Sequence, residues 1–423
     1  MKFQIYRVNK ILVERERHFL ILVTSFTFLI KLSFVLISYF TNEVTHTEYL
    51  YWGQQFAEGH WIEPRELTSG MIIAPLLPVM VTLCTKLFSD FAVPLYVYNA
   101  LITSLVVPVL YFIAKELFNK GTALMISLWG VFFPEFFKYS PYILKESTVF
   151  FLLPLIVLLL LKSIRETQKE RYVIYAAITF TILIHTDERF IFYLPFFALI
   201  FFFIKPLNFK TLLKSWTLWF GIIILLGIPW GIRNYKVYDQ VVLISPRTTA
   251  FTSYLWGKKI THLEYNSYED VLARNKERYG HRFEEYYKHR TDIAPREYSK
   301  AEVKIKAFIN FWQPAYFKPT FITYGYRFQK WSVAHNMASI LFYGIFLPFY
   351  ILGFLLLIKK RKFSGIFLAS IPLIHSLLHA YMVSPLERYR SPVTFIIVVT
   401  GIWAISIFSE KVNWKFNMKK LRI

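Results

Sequence analysis

Long apolar runs, separated by short basic segments, dominate this sequence. A helix that crosses the hydrocarbon core of a bilayer needs about 20 largely apolar residues. Runs that qualify, or that nearly do, lie at about 19–40, 92–114, 121–137, 147–161, 172–184, 190–204, 215–232, 337–358, 363–383 and 393–408. Only 18% of the 423 residues are charged and 55% are hydrophobic, whereas soluble domains carry about 25% charged residues. We therefore expect an all-α polytopic membrane protein with about ten transmembrane helices.

The basic residues favour one orientation of these helices. The net charge is +22, and much of it lies in short segments between apolar runs, where Lys and Arg mark the cytoplasmic side. A further apolar run at 71–88 contains Pro75, Pro78 and Lys86. If it crossed, the basic loops after it would lie outside, so we expect an interfacial helix. This predicts a multi-pass protein of the inner or plasma membrane with both termini cytoplasmic, and no nucleic-acid partner.

The same topology divides the chain into three parts. Residues 1–232 form an N-terminal transmembrane module whose first external loop is 41–91. Residues 233–336 form an external, periplasmic segment, and its helical stretches near 268–287 and 299–312 suggest a small folded cap. Residues 337–423 form the last helices and a basic cytoplasmic tail. The first run follows a basic stretch without a cleavage pattern and reads as an uncleaved anchor. A single cysteine, Cys84, excludes an internal disulfide framework.

Several turns predicted to lie outside are strongly polar, although the runs beside them are short. The run 172–184 would span roughly 20 Å, less than a hydrocarbon core of about 30 Å. Asp187 and Arg189, in the turn after it, should therefore be recessed, and so should Lys145 and Glu146. Charges at this depth are costly unless they are paired or line a wet cavity. We favour a recessed polar site that opens outward; the alternative is ion pairs at helix ends, such as Glu188 with Arg189.

Other external residues could add acid–base and anion-binding groups. Glu48 or His46, just past the first span, could act as a general base. The alternative is an amphipathic interfacial helix, because Tyr49, Trp52 and Phe56 recur at helical spacing. Arg233, Arg388 and Arg390 suit bidentate phosphate binding, with interfacial anchoring as the alternative. His375 and His379 are spaced to share a metal ion, but a buried polar helix seam is the preferred interpretation, so we predict no metal site.

Five short stretches, in order along the chain, resemble motifs of the GT-C membrane glycosyltransferases. The similarity is to bacterial relatives of dolichyl-phosphate-mannose–protein mannosyltransferases (glycosyltransferase family 39) and of the aminoarabinose transferase. The stretches are His46-Thr47-Glu48-Tyr49 with Gly53 and Gly59, Pro75-Leu76-Leu77-Pro78 through Phe88, Leu144-Lys145-Glu146, Pro229-Trp230 through Arg233-Asn234-Tyr235, and Arg388-Tyr389-Arg390-Ser391-Pro392. The family usually has Asp in the first motif, where His46 aligns. Glu48, Glu43 or His46 could replace it, or the activity could be lost.

The resemblance implies a mechanism and a set of partners. The donor would be a polyprenyl-phosphate-linked sugar in the outer leaflet, and the acceptor a lipid, glycan or protein of the cell envelope. Glu48 would be the base with His46 as alternate, and Glu146 would orient the acceptor or sugar. The phosphate would be held by Lys145, Arg233, Arg388 and Arg390, with Asp187 and Arg189 in supporting roles. No cofactor is predicted with certainty, and a divalent metal requirement is left open.

Two other activities fit the sequence less well. A transporter or flippase of lipid-linked sugars would have polar residues through the spans or on both faces. Few charged or imidazole side chains lie within the apolar runs, among them Lys31, His375 and His379. A polyprenyl-linked glycan polymerase or ligase could use the same arginines with a pyrophosphate-linked donor.

Overall fold

The structure, a computed structural model, is a bundle of α-helices. It describes residues 16–41, 48–61, 73–88, 91–166, 169–204, 208–238, 242–245, 301–315, 320–322, 327–329, 332–381 and 387–420. Of the predicted features, His46, Glu43 and the helical stretch near 268–287 lie outside these residues, as does the side chain of Glu48.

Eight α-helices precede Asp187 in the described part of the chain. Their bounds are α1 Glu16–Thr41, α2 Glu48–Ala57, α3 Leu76–Phe88, α4 Ala92–Leu117, α5 Lys120–Phe132, α6 Pro134–Tyr139, α7 Glu146–Arg165 and α8 Lys169–Thr186. Helix α5 begins where the Asn119 side chain accepts a hydrogen bond from the Thr122 backbone N–H at 2.7 Å. It ends before Pro134, which has no N–H to donate and opens the short helix α6 instead.

The described residues after Thr186 are also mostly helical. Two 3₁₀ segments, Glu188–Tyr193 and Leu199–Phe203, flank α9 Leu194–Ala198. The later α-helices are α10 Phe209–Tyr238, α11 Ala301–Trp312, α12 Val333–Ser339, α13 Phe346–Lys359, α14 Phe363–Tyr381, α15 Glu387–Arg390 and α16 Thr394–Lys420. A π-helical turn, Ile340–Gly344, joins α12 to α13, and a 3₁₀ turn, Ser391–Val393, joins α15 to α16.

Within the predicted cap, the structure adds one small antiparallel pair of strands to the helix α11. Strand β1 is Thr320–Ile322 and strand β2 is Arg327–Gln329, with Phe321 opposite Phe328. Helix α11 agrees with the predicted stretch 299–312 and packs against α14.

Seven segments of the described chain are long and apolar enough to cross a membrane: α1, α4, α7, α10, the continuous segment Val333–Lys359, α14 and Arg388–Ser409. The chain is therefore an all-α multi-pass membrane protein, as predicted. The runs at 121–137, 172–184 and 190–204 form shorter or less apolar helical segments. The count of ten spans, the orientation and the domain boundaries stay predictions.

Helix α3 has 13 residues, about 20 Å, and lies against α2. The two helices approach closely because position 53 is glycine: an added Cβ would lie 2.4 Å from Val81 Cβ. Thr82 Oγ1 donates a hydrogen bond to the Gly53 carbonyl at 2.9 Å. The pair shares a hydrophobic core with Val35 near the end of α1 and Leu95 near the start of α4. Helices α2 and α3 thus cover the end of the bundle where α1 ends and α4 begins.

Candidate functional site

At this same end, four segments line a small, tightly packed polar pocket. The segments are the turn before α7, the turn after α8, the second half of α14, and α15 with the 3₁₀ turn that follows it. The described residues that line the pocket are Lys145, Glu146, Val149, Asp187, Arg189, Phe190, His375, His379, Arg388, Tyr389 and Pro392. Three of these segments thus contribute charged side chains to one pocket, and α14 contributes two histidines.

Asp187 is the central anion of the pocket. Its carboxylate is buried and lies between two cations: Lys145 Nζ is 3.1 Å from Oδ1, and Arg189 Nε donates to Oδ1 at 2.8 Å while Nη2 contacts Oδ2. Burial alone would raise the pKa of Asp187, but the charges of Arg189 and Lys145 outweigh it and hold the pKa well below its ordinary value. Asp187 is therefore ionised at neutral pH and fixes both cations in the pocket.

The partner of Arg189 is thus Asp187, two residues earlier, while the sequence alternative paired it with Glu188. The Asp187 side chain also accepts a bond from the Arg189 backbone N–H, at 3.2 Å, and so caps the 3₁₀ segment that carries Arg189. The Arg189 guanidinium lies over the Tyr389 ring, with Cζ 4.1 Å from the ring centroid.

Glu146 and Arg388 form a second ion pair in the same pocket. Arg388 Nε donates to Glu146 Oε1, and the other carboxylate oxygen, Oε2, is buried with no hydrogen-bond partner among the described residues. The Glu146 side chain is 4% exposed and that of Arg388 is 28% exposed. Arg388 is therefore a cation that an incoming ligand can reach, and Glu146 has one buried oxygen whose hydrogen-bonding capacity no described residue uses.

The start of α2 lies beside this second pair. Tyr49 is buried, and burial raises the pKa of its phenol well above the ordinary value, with the nearby charges of Glu146 and Glu188 adding to the shift. Those charges act on Tyr49 because its ring is close to the pocket. Glu48, the first residue of α2, precedes Tyr49 directly, so the backbone brings the predicted base to the edge of the site.

Arg233 and Arg390 do not line this pocket. Arg233 donates to the Trp61 carbonyl at 3.1 Å and lies 4.8 Å from the centroid of the Trp230 ring system. Its Nη1 also donates to the side-chain oxygen of the neighbouring Asn234, which in turn donates to the Val242 carbonyl at 2.9 Å. Arg233 thus joins the first loop to the end of α10.

Arg390 points to the opposite side of α15 from Arg388. Its guanidinium donates to the carbonyl of Gln313, just past the end of α11, and lies 4.0 Å over the Tyr343 ring. It also borders a second small pocket, beside Glu135 and Ser339. The described contacts of Arg390 therefore anchor α11 to the start of α16.

Sequence reasoning assigned no role in the site to Tyr389, His375 and His379, which line the pocket. The signal was present, because the two histidines lie one helical turn apart in α14, close in sequence to Arg388. Among the residues that the structure describes, no three His, Cys, Asp or Glu side chains are grouped as they would be around a metal ion.

Comparisons with known proteins agree with this fold. A family model described as dolichyl-phosphate-mannose-protein mannosyltransferase matches residues 73–232. A search of curated proteins finds no match. The oligosaccharyltransferase of Archaeoglobus fulgidus in its apo form has a similar structure, with a TM-score of 0.58 and 13% identity over 96% of this chain and 52% of that one.

Two further solved structures are similar. AglB from the same archaeon, in complex with an inhibitory peptide and a dolichol-phosphate, has a TM-score of 0.56 and 13% identity over 96% of this chain and 52% of that one. ArnT from Cupriavidus metallidurans, bound to undecaprenyl phosphate, has a TM-score of 0.40 and 12% identity over 91% of this chain and 77% of that one. The chain spans about half the length of the archaeal enzyme. The family match and the fold confirm the resemblance found in the sequence: this chain has the fold of the GT-C membrane glycosyltransferases.

Proposed function

We propose that this protein transfers a sugar from a polyprenyl-phosphate-linked donor to a lipid, glycan or protein acceptor at the external face of the cell membrane. The observation that carries the proposal is the convergence of Lys145, Arg189 and Arg388 with two buried carboxylates in one pocket. Separate segments of the bundle hold these charges, so the pocket keeps its arrangement without a ligand. Such preorganised charge is what a reaction that builds charge on a leaving group needs.

The net charge of the pocket supports a phosphodiester donor. Three cations face two carboxylates, Glu146 and Asp187, so the described lining carries a net charge of 3 − 2 = +1. A polyprenyl-phosphate-linked sugar carries one negative charge and matches this excess. A pyrophosphate-linked donor, which a polymerase or ligase would use, carries more negative charge than these side chains neutralise.

The cations then have a defined role in the reaction. When the bond between the anomeric carbon and the phosphate oxygen breaks, the bonding electrons stay with the phosphate, which becomes a phosphomonoester with a second negative charge. Arg388 is the cation best able to follow this change, because it is partly exposed. Lys145 and Arg189 stay in place through Asp187 and add positive potential from the buried side.

A carboxylate completes the proposed mechanism. The acceptor oxygen attacks the anomeric carbon, and its proton passes to a carboxylate. We assign this role to Glu48, with His46 as alternate, because α2 begins next to the pocket. Glu146 would orient the acceptor or the sugar through its unpaired oxygen Oε2.

The complex of AglB with a dolichol-phosphate supports the choice of a polyprenyl lipid, since that archaeal enzyme has the same fold. An isoprenoid tail is soluble in the bilayer, and its phosphate lies at the depth of the headgroups. A pocket at the ends of the spanning helices suits such a ligand.

The test uses membrane vesicles that contain the full chain and a donor pool radiolabelled in its lipid-linked sugar. The label should move to a new glycosidic product, with release of polyprenyl phosphate. Arg388→Gln should lower the rate by about 100-fold or more, the loss typical of removing a transition-state donor. Glu146→Gln should also lower it.

Lys214→Gln is the matched control, because Lys214 lies in an exposed ion pair with Glu170 and should leave the rate unchanged. Equal expression of all variants excludes a folding defect. Full transfer by Arg388→Gln would overturn the site assignment. Movement of lipid-linked sugar between leaflets without a new glycosidic bond would indicate a flippase.

A further inference from the structure

Two buried histidines, His375 and His379, line the charged pocket on the side of α14. Both are 2% exposed, and their ring centroids are 4.2 Å apart. Phe311 of helix α11 packs against both rings from the other side. Since they are buried beside a permanent cation, Arg189, their hydrogen bonds decide which ring nitrogen carries the proton.

The contacts of His379 define one tautomer. Arg189 Nη1 lies 3.4 Å from His379 Nε2, and a guanidinium can only donate, so Nε2 must be the acceptor. His379 Nδ1 lies 3.0 Å from the His375 backbone carbonyl, which can only accept, so Nδ1 must carry the proton. Both contacts agree on a neutral ring that is protonated at Nδ1.

His375 has the opposite arrangement. Its Nε2 donates to the Tyr389 carbonyl at 2.6 Å, and its Nδ1 accepts a short hydrogen bond from the Tyr193 hydroxyl. The pair thus reaches two walls of the pocket from one helix: His379 contacts the guanidinium of Arg189, and His375 contacts the backbone of α15 between Arg388 and Arg390.

We propose that His379 is a positioning residue that sets the orientation of Arg189 for the donor phosphate; this inference rests on the proposed function. Three groups surround the guanidinium: Asp187 along one edge, His379 at Nη1, and the Tyr389 ring on one face. Of the five N–H donors of an arginine, Asp187 takes two and His379 one. The other two have no acceptor among the described residues, and these contacts hold them in a fixed direction for an anion.

The contact with His379 restricts the Arg189 guanidinium to one orientation. Asp187 holds only one edge of the Arg189 guanidinium, the edge with Nε and Nη2, and it lies just two residues before Arg189 in the chain. With Asp187 as its single partner, the guanidinium could turn about that edge. The acceptor nitrogen on α14 is a second fixed point from a distant part of the chain. Replacing the imidazole by an apolar side chain frees Nη1 to turn away.

The experiment measures binding of undecaprenyl phosphate to the purified full chain in detergent by native mass spectrometry. This lipid is the product common to donors with different sugars. His379→Leu should weaken binding by about tenfold or more, the usual effect of losing a hydrogen bond to a charged group. His379→Gln should bind like the wild type, since the amide oxygen can accept from Arg189 and the amide nitrogen can donate to the His375 carbonyl.

A double-mutant cycle separates positioning from a structural role. In an Arg189→Leu background, His379→Leu should cause no further loss, because the histidine acts through that arginine. Ser376→Ala is the control on the same helix: this buried hydroxyl donates to the Leu373 carbonyl at 2.8 Å and does not line the pocket.

The outcomes distinguish this inference from the proposed function. If His379→Leu binds the lipid like the wild type, or if the double mutant shows an additive loss, the positioning role is overturned. In that case a loss of binding in Arg388→Gln would still support the pocket as the binding site. Wild-type binding by Arg388→Gln would overturn the proposed function itself.

Discussion

Asp187 offers a quantitative test of the pocket, because one carboxylate holds two cations. Its side chain is 3% exposed, and Lys145 Nζ is 3.1 Å from Oδ1. At that distance and an effective dielectric constant of about 20, the gross Coulomb attraction of this one pair is about 5 kcal/mol. Much of it offsets the cost of burying the charges. Removing one partner of a buried pair typically costs about 3–5 kcal/mol, since the remaining charge stays buried and unpaired.

Asp187→Asn should therefore lower the free energy of unfolding by about 3–5 kcal/mol. At about 2 °C per kcal/mol this corresponds to a fall of about 6–10 °C in the melting temperature. The assay is thermal unfolding of the purified full chain, followed by its tryptophan fluorescence.

Glu170→Gln is the control. Glu170 Oε1 lies 2.6 Å from Lys214 Nζ, but the two side chains are 59% and 56% exposed. Exposed pairs contribute less than about 1 kcal/mol, so the melting temperature should change by less than about 2 °C. Equal shifts for the two variants would refute the reasoning, since burial would then have no effect on the cost of losing the carboxylate.

Three further predictions use the same assay. Gly53→Ala should lower the free energy of unfolding by about 1–3 kcal/mol, because the new Cβ would lie 2.4 Å from Val81 Cβ. Its control is Gly221→Ala, where no atom lies within 4 Å of the new Cβ, and this change should stabilise the protein by about 0.5–1 kcal/mol. A loss of stability in both variants would contradict the prediction. Lys31→Met should leave the melting temperature unchanged or raise it. The buried Lys31 ammonium donates to the Thr103 carbonyl at 2.9 Å, but no carboxylate in the described chain pairs with its charge. A clear drop in the melting temperature would show that the ammonium is stabilising. Because the folded pKa of Asp187 lies well below its ordinary value, its stabilisation is complete above about pH 4 and is lost as the pH falls through the folded pKa. The difference in melting temperature between wild type and Asp187→Asn should therefore be constant from about pH 5 to pH 8, and a decline within that range would mean that the pKa is not depressed.

The sequence predicted the helical membrane fold because the physical signal is strong and local. Apolar runs of about 20 residues have few alternatives to a spanning helix. The shortness of the run 172–184 also indicated that charges near Asp187 would be recessed, and the structure buries Lys145, Glu146 and Asp187.

The pairing of charges could not be predicted in the same way. Arg388 and Arg390 were grouped as phosphate ligands because they are neighbours in the sequence. Two residues along a helix correspond to about 200° around its axis, so the two side chains leave α15 on opposite sides. One enters the pocket and the other anchors α11.

The choice of Asp187 as the partner of Arg189 depends on the 3₁₀ turn that begins there. The apolar pattern of the sequence does not specify that turn. The contacts of His375 and His379 with the pocket likewise depend on how α14 packs against α15, which involves residues that are distant in the sequence from Arg189.

The most direct measurement is a cryo-electron microscopy structure of the full chain with undecaprenyl phosphate bound. The account predicts a phosphate oxygen within hydrogen-bond distance of Arg388, about 3 Å, with Lys145 and Arg189 in the same pocket and the isoprenoid tail in the bilayer. A phosphate bound instead beside Arg233 and Trp230, with the pocket around Asp187 unoccupied, would contradict it.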